Sequence, residues 1–372
     1  MHKAVLVTGA KGFIGKNLIQ KLRHSGYTDI FEYDVDDTVD VLEEYCSKAD
    51  FIFHLAGVNR PERIDDYLKG NIGLTETIIN IVKKSKKNPS ILFSSSVQAL
   101  LDNPYGKSKR AAEILLQHYS AIEKTKVYIY RLPNLFGKWS RPNYNTVVAT
   151  FCHSIARGES ISITNENTIL NLAYIDDVVS DFISRLEEGR NENVSEYYQI
   201  AQTYEVSLGS IAELINSFKA TRNNRYIPNV ASDFEKKLYS TYLSFLPEDD
   251  FSYPLVSHID ERGSFTEFIK LSDYGQVSVN TVNPGITKGN HWHNTKNEKF
   301  VVANGEGLVR FRKIGEKKIL EYRVSGQKLE VVDIPVGYTH SITNIGNEKM
   351  VLLIWANECF DEKNPDTYFE EV

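Results

Sequence analysis

The spacing of apolar residues changes once along this chain, and that change constrains the fold more than any other feature. From residue 3 to about 245, short apolar runs alternate with longer helical stretches. Ala4-Val5-Leu6-Val7 precedes 13–24, Phe51-Ile52-Phe53 precedes 73–84, Ile91-Leu92-Phe93 precedes 108–123, and a further run follows at 127–130. Such alternation predicts βαβ units on a doubly wound parallel sheet. Beyond about residue 250 the runs are strand-like only (276–282, 300–303, 308–312, 328–334 and 350–355), with Gly, Pro and Asn between them. That texture predicts an antiparallel barrel or sandwich. The segment Leu246-Pro247-Glu248-Asp249-Asp250-Phe251-Ser252-Tyr253-Pro254 lies where the two textures meet, so the expected domains are 1–247 and 248–372.

A length of 372 residues exceeds what one ordinary domain needs. The net charge of -6 lacks the basic excess that meets phosphates, which argues against nucleic-acid and anionic-membrane partners and for small molecules. Cys46, Cys152 and Cys359 are far apart and form no CxxC, so they read as small buried hydrophobes. No run approaches the roughly 18 apolar residues of a membrane span, and the start of the chain lacks a signal-peptide apolar stretch. A cytoplasmic protein is expected.

Thr8-Gly9-Ala10-Lys11-Gly12-Phe13-Ile14-Gly15 follows the first strand and opens the first helix. In that context Gly9 permits the tight turn, Gly12 admits a pyrophosphate to the backbone, and Gly15 lets helix and strand pack closely. Tyr105 and Lys109 are four residues apart at the start of a helical stretch and so share a face, where an ammonium can lower a phenol's pKa. A phenol so adjusted can act as a general acid near neutrality. Ser94-Ser95-Ser96 closes the preceding strand and can offer a hydroxyl to a substrate carbonyl.

Over roughly its first 245 residues the chain resembles the extended short-chain dehydrogenase/reductases. The resemblance rests on residues 8–15, His54-Leu55-Ala56-Gly57, Ser94-Ser95-Ser96, Tyr105-Gly106-Lys107-Ser108-Lys109, Arg131-Leu132-Pro133-Asn134-Leu135-Phe136-Gly137 and Tyr174-Ile175-Asp176-Asp177, in family order. It implies a Rossmann-type fold. Gly9, Lys11, Gly12, Phe13, Ile14, Gly15, Leu55, Ala56 and Gly57 would line a nicotinamide dinucleotide. Tyr105 would be the proton donor, Lys109 would hold the nicotinamide ribose and lower the Tyr pKa, and Ser96 or Ser95 would bind the C4 carbonyl. Arg131, Pro133 and Asn134 would flank the cofactor and sugar-nucleotide site. Asp34 falls where a carboxylate binds the ribose 2′-hydroxyl of NAD, whereas Lys11 favours a 2′-phosphate. NADPH is the expected cofactor on the whole-chain resemblance below, with NADH as the alternative.

In the second half, Gly285-x5-His291-x-His293-x4-Glu298-x6-Gly305 is followed by Pro335-x-Gly337-x2-His340-x3-Asn344. His291 and His293 share one strand face at period two, and Glu298 and His340 can converge on them from neighbouring strands. Nitrogen and oxygen donors without thiolate suit a zinc, iron, nickel or manganese dication, with zinc the expected metal. These blocks resemble the paired motifs of the cupin superfamily, except that Leu329 replaces the glycine that usually begins the second. A cupin jelly-roll barrel follows from that resemblance. Asp260-Glu261-Arg262-Gly263-Ser264-Phe265-Thr266-Glu267, Gln276-Val277-Ser278-Val279-Asn280 and 284–291 also resemble the cupin-fold epimerases of dTDP-4-keto-6-deoxyhexoses. There the residues matching Arg262 and Glu267 contact the nucleotide and the one matching His291 is the base. An imidazole nitrogen that binds a metal cannot also abstract a proton. With a metal bound, Lys288 or Tyr338 would be the base, and the ion would polarise the C4 carbonyl.

The order of the halves, with Asp102-Asn103-Pro104-Tyr105-Gly106, Pro142-Asn143-Tyr144-Asn145 and the terminal 364–372, resembles capsular-polysaccharide enzymes of UDP-N-acetyl-L-fucosamine synthesis. That resemblance implies C3 epimerisation of a UDP-2-acetamido-2,6-dideoxy-4-hexulose by the cupin. Reduction at C4 with NADPH would follow, giving UDP-2-acetamido-2,6-dideoxy-L-talose. Both families commonly form dimers, so a homodimer is expected. The alternatives are a catalytic reductase whose cupin is a metal-stabilised binding or dimerisation module, and an NAD(P) sensor without turnover.

Overall fold

The computed structural model describes residues 3–372 apart from 60–62, 64, 86, 145, 189–195 and 362, so Asn145 of the 142–145 stretch lies outside the described residues. The chain divides into two compact units, residues 1–216 with 231–247, and residues 217–230 with 248–372. Composition alone places 217–230 with the first half, but this segment packs with the second unit.

In the first unit the elements are β1 (Val5–Thr8), α1 (Phe13–His24), β2 (Ile30–Tyr33), α2 (Val39–Lys48), β3 (Phe51–His54), α3 (Asp65–Tyr67), a π-helical stretch (Leu68–Gly73) and α4 (Leu74–Ser85). There follow β4 (Ser90–Ser96), α5 (Pro104–Glu123), β5 (Val127–Leu132), β6 (Asn134–Phe136), α6 (Val147–Ala156), β7 (Ile169–Tyr174) and α7 (Ile175–Glu187). Then come β8 (Glu196–Tyr198), β9 (Tyr204–Ser207), α8 (Leu208–Asn224), which ends among the residues of the second unit, and α9 (Asp233–Leu243). The main sheet has the order β2-β1-β3-β4-β5-β8 and its pairs are parallel. A parallel sheet must be covered on both faces, and alternate residues of its strands serve the two layers. Val5, Val7, Phe51 and Phe53 pack with Leu18 and Leu22 of α1 and Val178 and Phe182 of α7. Leu6, Ile52, Ile91 and Phe93 pack with Leu42 and Cys46 of α2, Ile78 and Val82 of α4, and Leu116 of α5. Cys46 and Cys152 are buried free thiols, as their hydrophobic reading requires.

The second unit contains β10 (Ser257–Asp260), β11 (Gly263–Leu271), β12 (Gly275–Val282), β13 (Thr287–Trp292), β14 (Glu298–Asn304), β15 (Glu306–Lys313) and β16 (Ile319–Ser325). It ends with β17 (Val332–Ile334), β18 (Tyr338–Asn344), β19 (Met350–Ala356) and β20 (Tyr368–Phe369). They form two antiparallel sheets, β10-β11-β12-β19-β14-β17 and β16-β15-β18-β13-β20. Val282, Phe300, Val302 and Leu352 from the first sheet and Val309, Phe311, Val324 and Ile342 from the second make one shared core. Ahead of Leu329, β16 ends in a turn at Gly326, where a Cβ would lie 2.6 Å from the Ala303 carbonyl oxygen. Leu329 itself is exposed.

The segment 217–230 joins this unit by main-chain and ionic contacts. The Ile227 amide donates to the Lys270 carbonyl at 2.9 Å, the Lys270 amide to the Arg225 carbonyl at 2.9 Å, and Arg225 pairs with Glu267 at 2.8 Å.

Candidate active sites

The strand order of the first unit reverses between β1 and β3, and the crevice beyond the carboxyl ends of such a pair is where open α/β sheets bind ligands. The turns leaving the two strands touch there. Gly9 has φ +71°, and a Cβ on it would lie 2.8 Å from Ala56 Cα, so both the turn and the close approach require glycine. A Cβ on Gly15 would meet the Gly9 carbonyl at 2.2 Å. The first helix opens at Gly12 without a side-chain cap, leaving its first amides and positive dipole end for an anion such as a pyrophosphate. The buried His54 bridges Thr8 (2.9 Å) and Thr75 (3.0 Å), and burial, with the Lys109 charge adding, pushes its pKa down to about 3, so it is neutral.

At the end of β2, Asp34 accepts the Lys11 amide at 2.6 Å and the Val35 amide at 2.8 Å. The glycine loop itself therefore holds the carboxylate in place. The Lys11 ammonium pairs with Asp36 at 2.7 Å on the surface.

Helix α5 begins with Asn103 accepting the Gly106 amide at 2.8 Å and with Pro104 at its first position, which fixes where Tyr105 starts the first turn. The close of β4 is tied to one face of this helix at successive i, i+4, i+8 positions. The Ser96 hydroxyl lies beside the Tyr105 phenol and favours its ionised form. The Ser94 carbonyl accepts the Lys109 ammonium at 2.9 Å, and the Ser95 hydroxyl donates to Glu113 at 2.5 Å. Lys109 is buried, lies 4.8 Å from the Phe93 ring centroid, and would be 2.9 Å from a Cβ on Gly57. Gly57 therefore keeps the space over the ammonium open.

Two sequence expectations change here. Lys109 does not lower the Tyr105 pKa in this arrangement. Burial pushes the phenol up to about 12, with Ser96 opposing, while burial lowers Lys109 to about 8, with Glu113 opposing. The ammonium is committed to Ser94 instead. Ser95, a candidate for substrate contact, is buried and points at Glu113, so Ser96 is the serine beside Tyr105. Glu113 is fully buried and forks Arg131 at 3.0 and 2.6 Å, and Arg131 stacks 4.0 Å from the Tyr197 ring centroid. Arg131 thus anchors β5 to the helix. Pro133 is half-buried between β5 and β6, and Asn134 is exposed, its amide 3.5 Å from the Asn171 carbonyl. The sequence reading missed Glu113, although it stands one turn after Lys109 on the same face.

In the second unit, donor atoms of His291, His293, Glu298 and His340 all lie within 4.8 Å of one another. A bulge at Gly289 (φ +104°) and Asn290 (φ +58°) brings Lys288 and His291 to the same face of β13, and His291 pairs directly with His340 of β18. Glu298 reaches the cluster from the other sheet, its Oε2 3.4 Å from His340 Nε2 and 3.7 Å from His293 Nε2. Buried polar atoms are ordinarily hydrogen-bonded. His293 Nε2 and both ring nitrogens of His340 are buried here without a partner at hydrogen-bonding geometry. Orphaned imidazole nitrogens converging on a carboxylate are what a divalent ion requires, so these residues fit one. Burial pushes His291 down to about 4, with His340 adding, which leaves its imidazole neutral. Burial opposes ionisation of Glu298, yet His293, His340 and Lys296 hold it well below the usual carboxylate range.

The Lys288 ammonium donates to the Ser264 (3.1 Å) and Thr281 (3.0 Å) carbonyls, and burial lowers its pKa, opposed by Asp260 and aided by Arg262. Tyr338 is half-buried at the start of β18. Arg262 is exposed and forks Asp260, whereas Glu267 is held by Arg225 and by Lys270 at 3.1 Å. Among the described residues no helix is long and apolar enough to cross a membrane.

The parallel sheet, its glycine turn and the Tyr105/Lys109 face define a nicotinamide-dependent enzyme of the short-chain type. The chain belongs to the NAD dependent epimerase/dehydratase family, whose model matches residues 5–201, and residues 258–368 match the polysaccharide biosynthesis C-terminal domain. Over 364 residues it is 46% identical to the UDP-2-acetamido-2,6-beta-L-arabino-hexul-4-ose reductase of Pseudomonas aeruginosa, covering 98% of this chain and 97% of that one. It is 52% identical to the crystal structure of the capsular polysaccharide assembling protein CapF from Staphylococcus aureus, with a TM-score of 0.93 and coverage of 99% and 100%. The Bordetella bronchiseptica enzyme WbmF in complex with NAD+ shares the fold at 19% identity, with a TM-score of 0.55 and coverage of 65% and 92%.

Proposed function

We propose that this chain is a UDP-4-keto-sugar reductase of capsule biosynthesis whose second unit epimerises the same substrate at C3. One observation carries the reductase reading. Tyr105 and Lys109 share one face of α5, with Ser96 at the end of β4 beside Tyr105, next to the crevice of a dinucleotide fold, in a chain 46% identical along its length to a reductase of such a sugar. The cofactor supplies the hydride. Tyr105 delivers the proton to the carbonyl oxygen at C4, Ser96 orients that oxygen, and Lys109, under the open face at Gly57, holds the ribose. The substrate is a UDP-2-acetamido-2,6-dideoxy-4-hexulose and the product UDP-2-acetamido-2,6-dideoxy-L-talose. A ketone at C4 acidifies the C3 proton, so epimerisation precedes reduction.

We read the two-sheet unit as a cupin jelly roll that holds one divalent metal, zinc, on His291, His293, Glu298 and His340. The ion supplies Lewis acidity. With His291 as a ligand, Lys288 is the proposed base, because burial lowers its pKa and it shares the strand face of His291. Arg262, in the exposed turn between β10 and β11, is the proposed nucleotide contact, together with Glu267. The active form is proposed to be a cytoplasmic homodimer, which light scattering tests.

NADPH is the proposed hydride donor, with Lys11 meeting the 2′-phosphate. A second reading, NADH, is favoured by Asp34, which the glycine loop holds in place at the end of β2, and by Asp36, which pairs with Lys11. A second reading of the cupin unit, as a metal-stabilised module without catalysis, is favoured by the P. aeruginosa relative, which is named for reduction alone. Incubation with the 4-keto UDP-sugar and NADPH in deuterium oxide, with the product read by NMR, tests both units. Deuterium at C3 and reduction at C4 are expected. Reduced sugar without C3 exchange leaves the reductase reading standing and removes the epimerase.

A further inference from the structure

The terminal stretch 364–372 has no part in the chemistry above, yet it crosses the cluster of imidazoles. Backbone pairing lays β20 against β13, with Phe369 opposite His291 and Tyr368 opposite Trp292, whose ring stacks on Tyr368 at 4.8 Å. Thr339, next to His340 on β18, donates its hydroxyl to the Glu370 carbonyl, and Arg312 holds the Glu370 carboxylate at 2.8 Å. One contact reaches a candidate ligand itself. His293 Nδ1 lies 2.5 Å from the main-chain carbonyl oxygen of Asp366. A carbonyl can only accept, so Nδ1 is the donor of this contact, and the tautomer that carries its proton there has its lone pair at Nε2. His293 Nε2 is the atom that is buried without a partner and faces Glu298.

What fixes that carbonyl is the Asp366 side chain. Its carboxylate accepts the amides of Asn294 (3.0 Å), Thr295 (2.7 Å) and Lys296 (2.9 Å), the three residues after His293, and the Thr295 hydroxyl at 3.2 Å. The same residue therefore clamps the loop that carries His293 and orients its ring. We propose that Asp366 is a positioning residue of the metal centre, its carboxylate locking the 294–296 turn and its carbonyl selecting the His293 tautomer able to bind a cation at Nε2. This rests on the proposal that the cluster holds a metal. Outer hydrogen bonds of this type typically change metal affinity by about 10- to 100-fold.

The test uses the full chain and zinc alone. Zinc affinity is measured by competition with a chromogenic chelator for wild type, Asp366→Ala and Asp366→Asn, and the His293 tautomer is read in the zinc-free proteins by long-range nitrogen–proton NMR. Wild type is expected to bind zinc and to show His293 protonated at Nδ1. Asp366→Ala should bind zinc about 10- to 100-fold more weakly with mixed tautomers. Asp366→Asn, which keeps an oxygen acceptor, should fall between them, and it carries the test should the alanine variant not fold. Wild-type zinc affinity in the folded variants overturns the role of Asp366 while leaving the metal centre standing. A wild-type chain that binds no zinc overturns the metal centre, and this proposal with it.

Discussion

The Ser95 hydroxyl donates to the Glu113 carboxylate at 2.5 Å, joining the close of β4 to the middle of α5 inside the protein. The same carboxylate takes a two-pronged contact from Arg131, so strand, helix and next strand meet on one buried charge. Removing one partner of a buried pair strands the other, at a cost of about 3 kcal/mol or more. Glu113→Ala should therefore lower the denaturant midpoint of the reductase transition. Ser95→Ala should cost about 1–3 kcal/mol and leave KM for the sugar unchanged. A raised KM with unaltered stability would return Ser95 to the substrate.

Tyr105→Phe removes the donor hydroxyl and should slow reduction by about two to four orders of magnitude, the range of a positioned general acid. Deuterium exchange at C3 should persist. Wild-type reduction by this variant would show that the acid lies elsewhere.

Burial lowers the pKa of Lys109 from its ordinary value of 10.5 to about 8, so between those values the unfolded chain binds the proton that the folded chain releases. Stability rises with pH wherever the unfolded state binds more protons. The charged lysine is thus a burden below about pH 8, and the burden fades as pH climbs toward 10.5. Relative to wild type, Lys109→Met should be most favoured at pH 7 and progressively less so at pH 9 and 10, as read from urea midpoints. A difference independent of pH would contradict this assignment.

NADPH should give the higher kcat/KM, and Lys11→Ala should erode that preference by removing the cation proposed to meet the 2′-phosphate. Should NADH be preferred in steady-state kinetics, Asp34 and Asp36 outweigh Lys11, and the cofactor assignment reverses.

A ligand that binds only the folded state stabilises it by mass action. A chelator should therefore lower the melting temperature of the second unit and leave that of the first nearly unmoved, and His293→Ala should act likewise. Full C3 exchange in stripped, folded protein would make the ion structural and return His291 as the base.

The βαβ texture and the strand-only texture were both legible because burial imposes different periods on covered parallel strands and two-sheet antiparallel ones. The grouping of His291, His293, Glu298 and His340 was legible because all four have side chains whose chemistry stands out. The choice between Ser95 and Ser96 was not legible because adjacent strand residues face opposite ways, and the local sequence does not say which serine meets the crevice. Glu113 and Asp366 were missed for a related reason. A buried carboxylate looks like a solvated one until its partner is known, and those partners, Arg131 and the 294–296 amides, lie 18 and about 70 residues away. The direction of the Tyr105 shift also depends on burial, which spacing along one helix does not reveal.

Residues 217–230 give the second unit a discontinuous chain. Ile227 and Arg225 exchange main-chain hydrogen bonds with Lys270, and Glu267 receives Arg225. A gene cut at the composition boundary, between Pro247 and Glu248, would therefore separate the second unit from part of itself, leaving Glu267 without its guanidinium and the Lys270 main chain without its partners. Recombination that exchanges whole modules end to end succeeds where modules are contiguous. In this chain the two halves can be inherited together or remodelled residue by residue, but a swap at that junction would deliver an incomplete part.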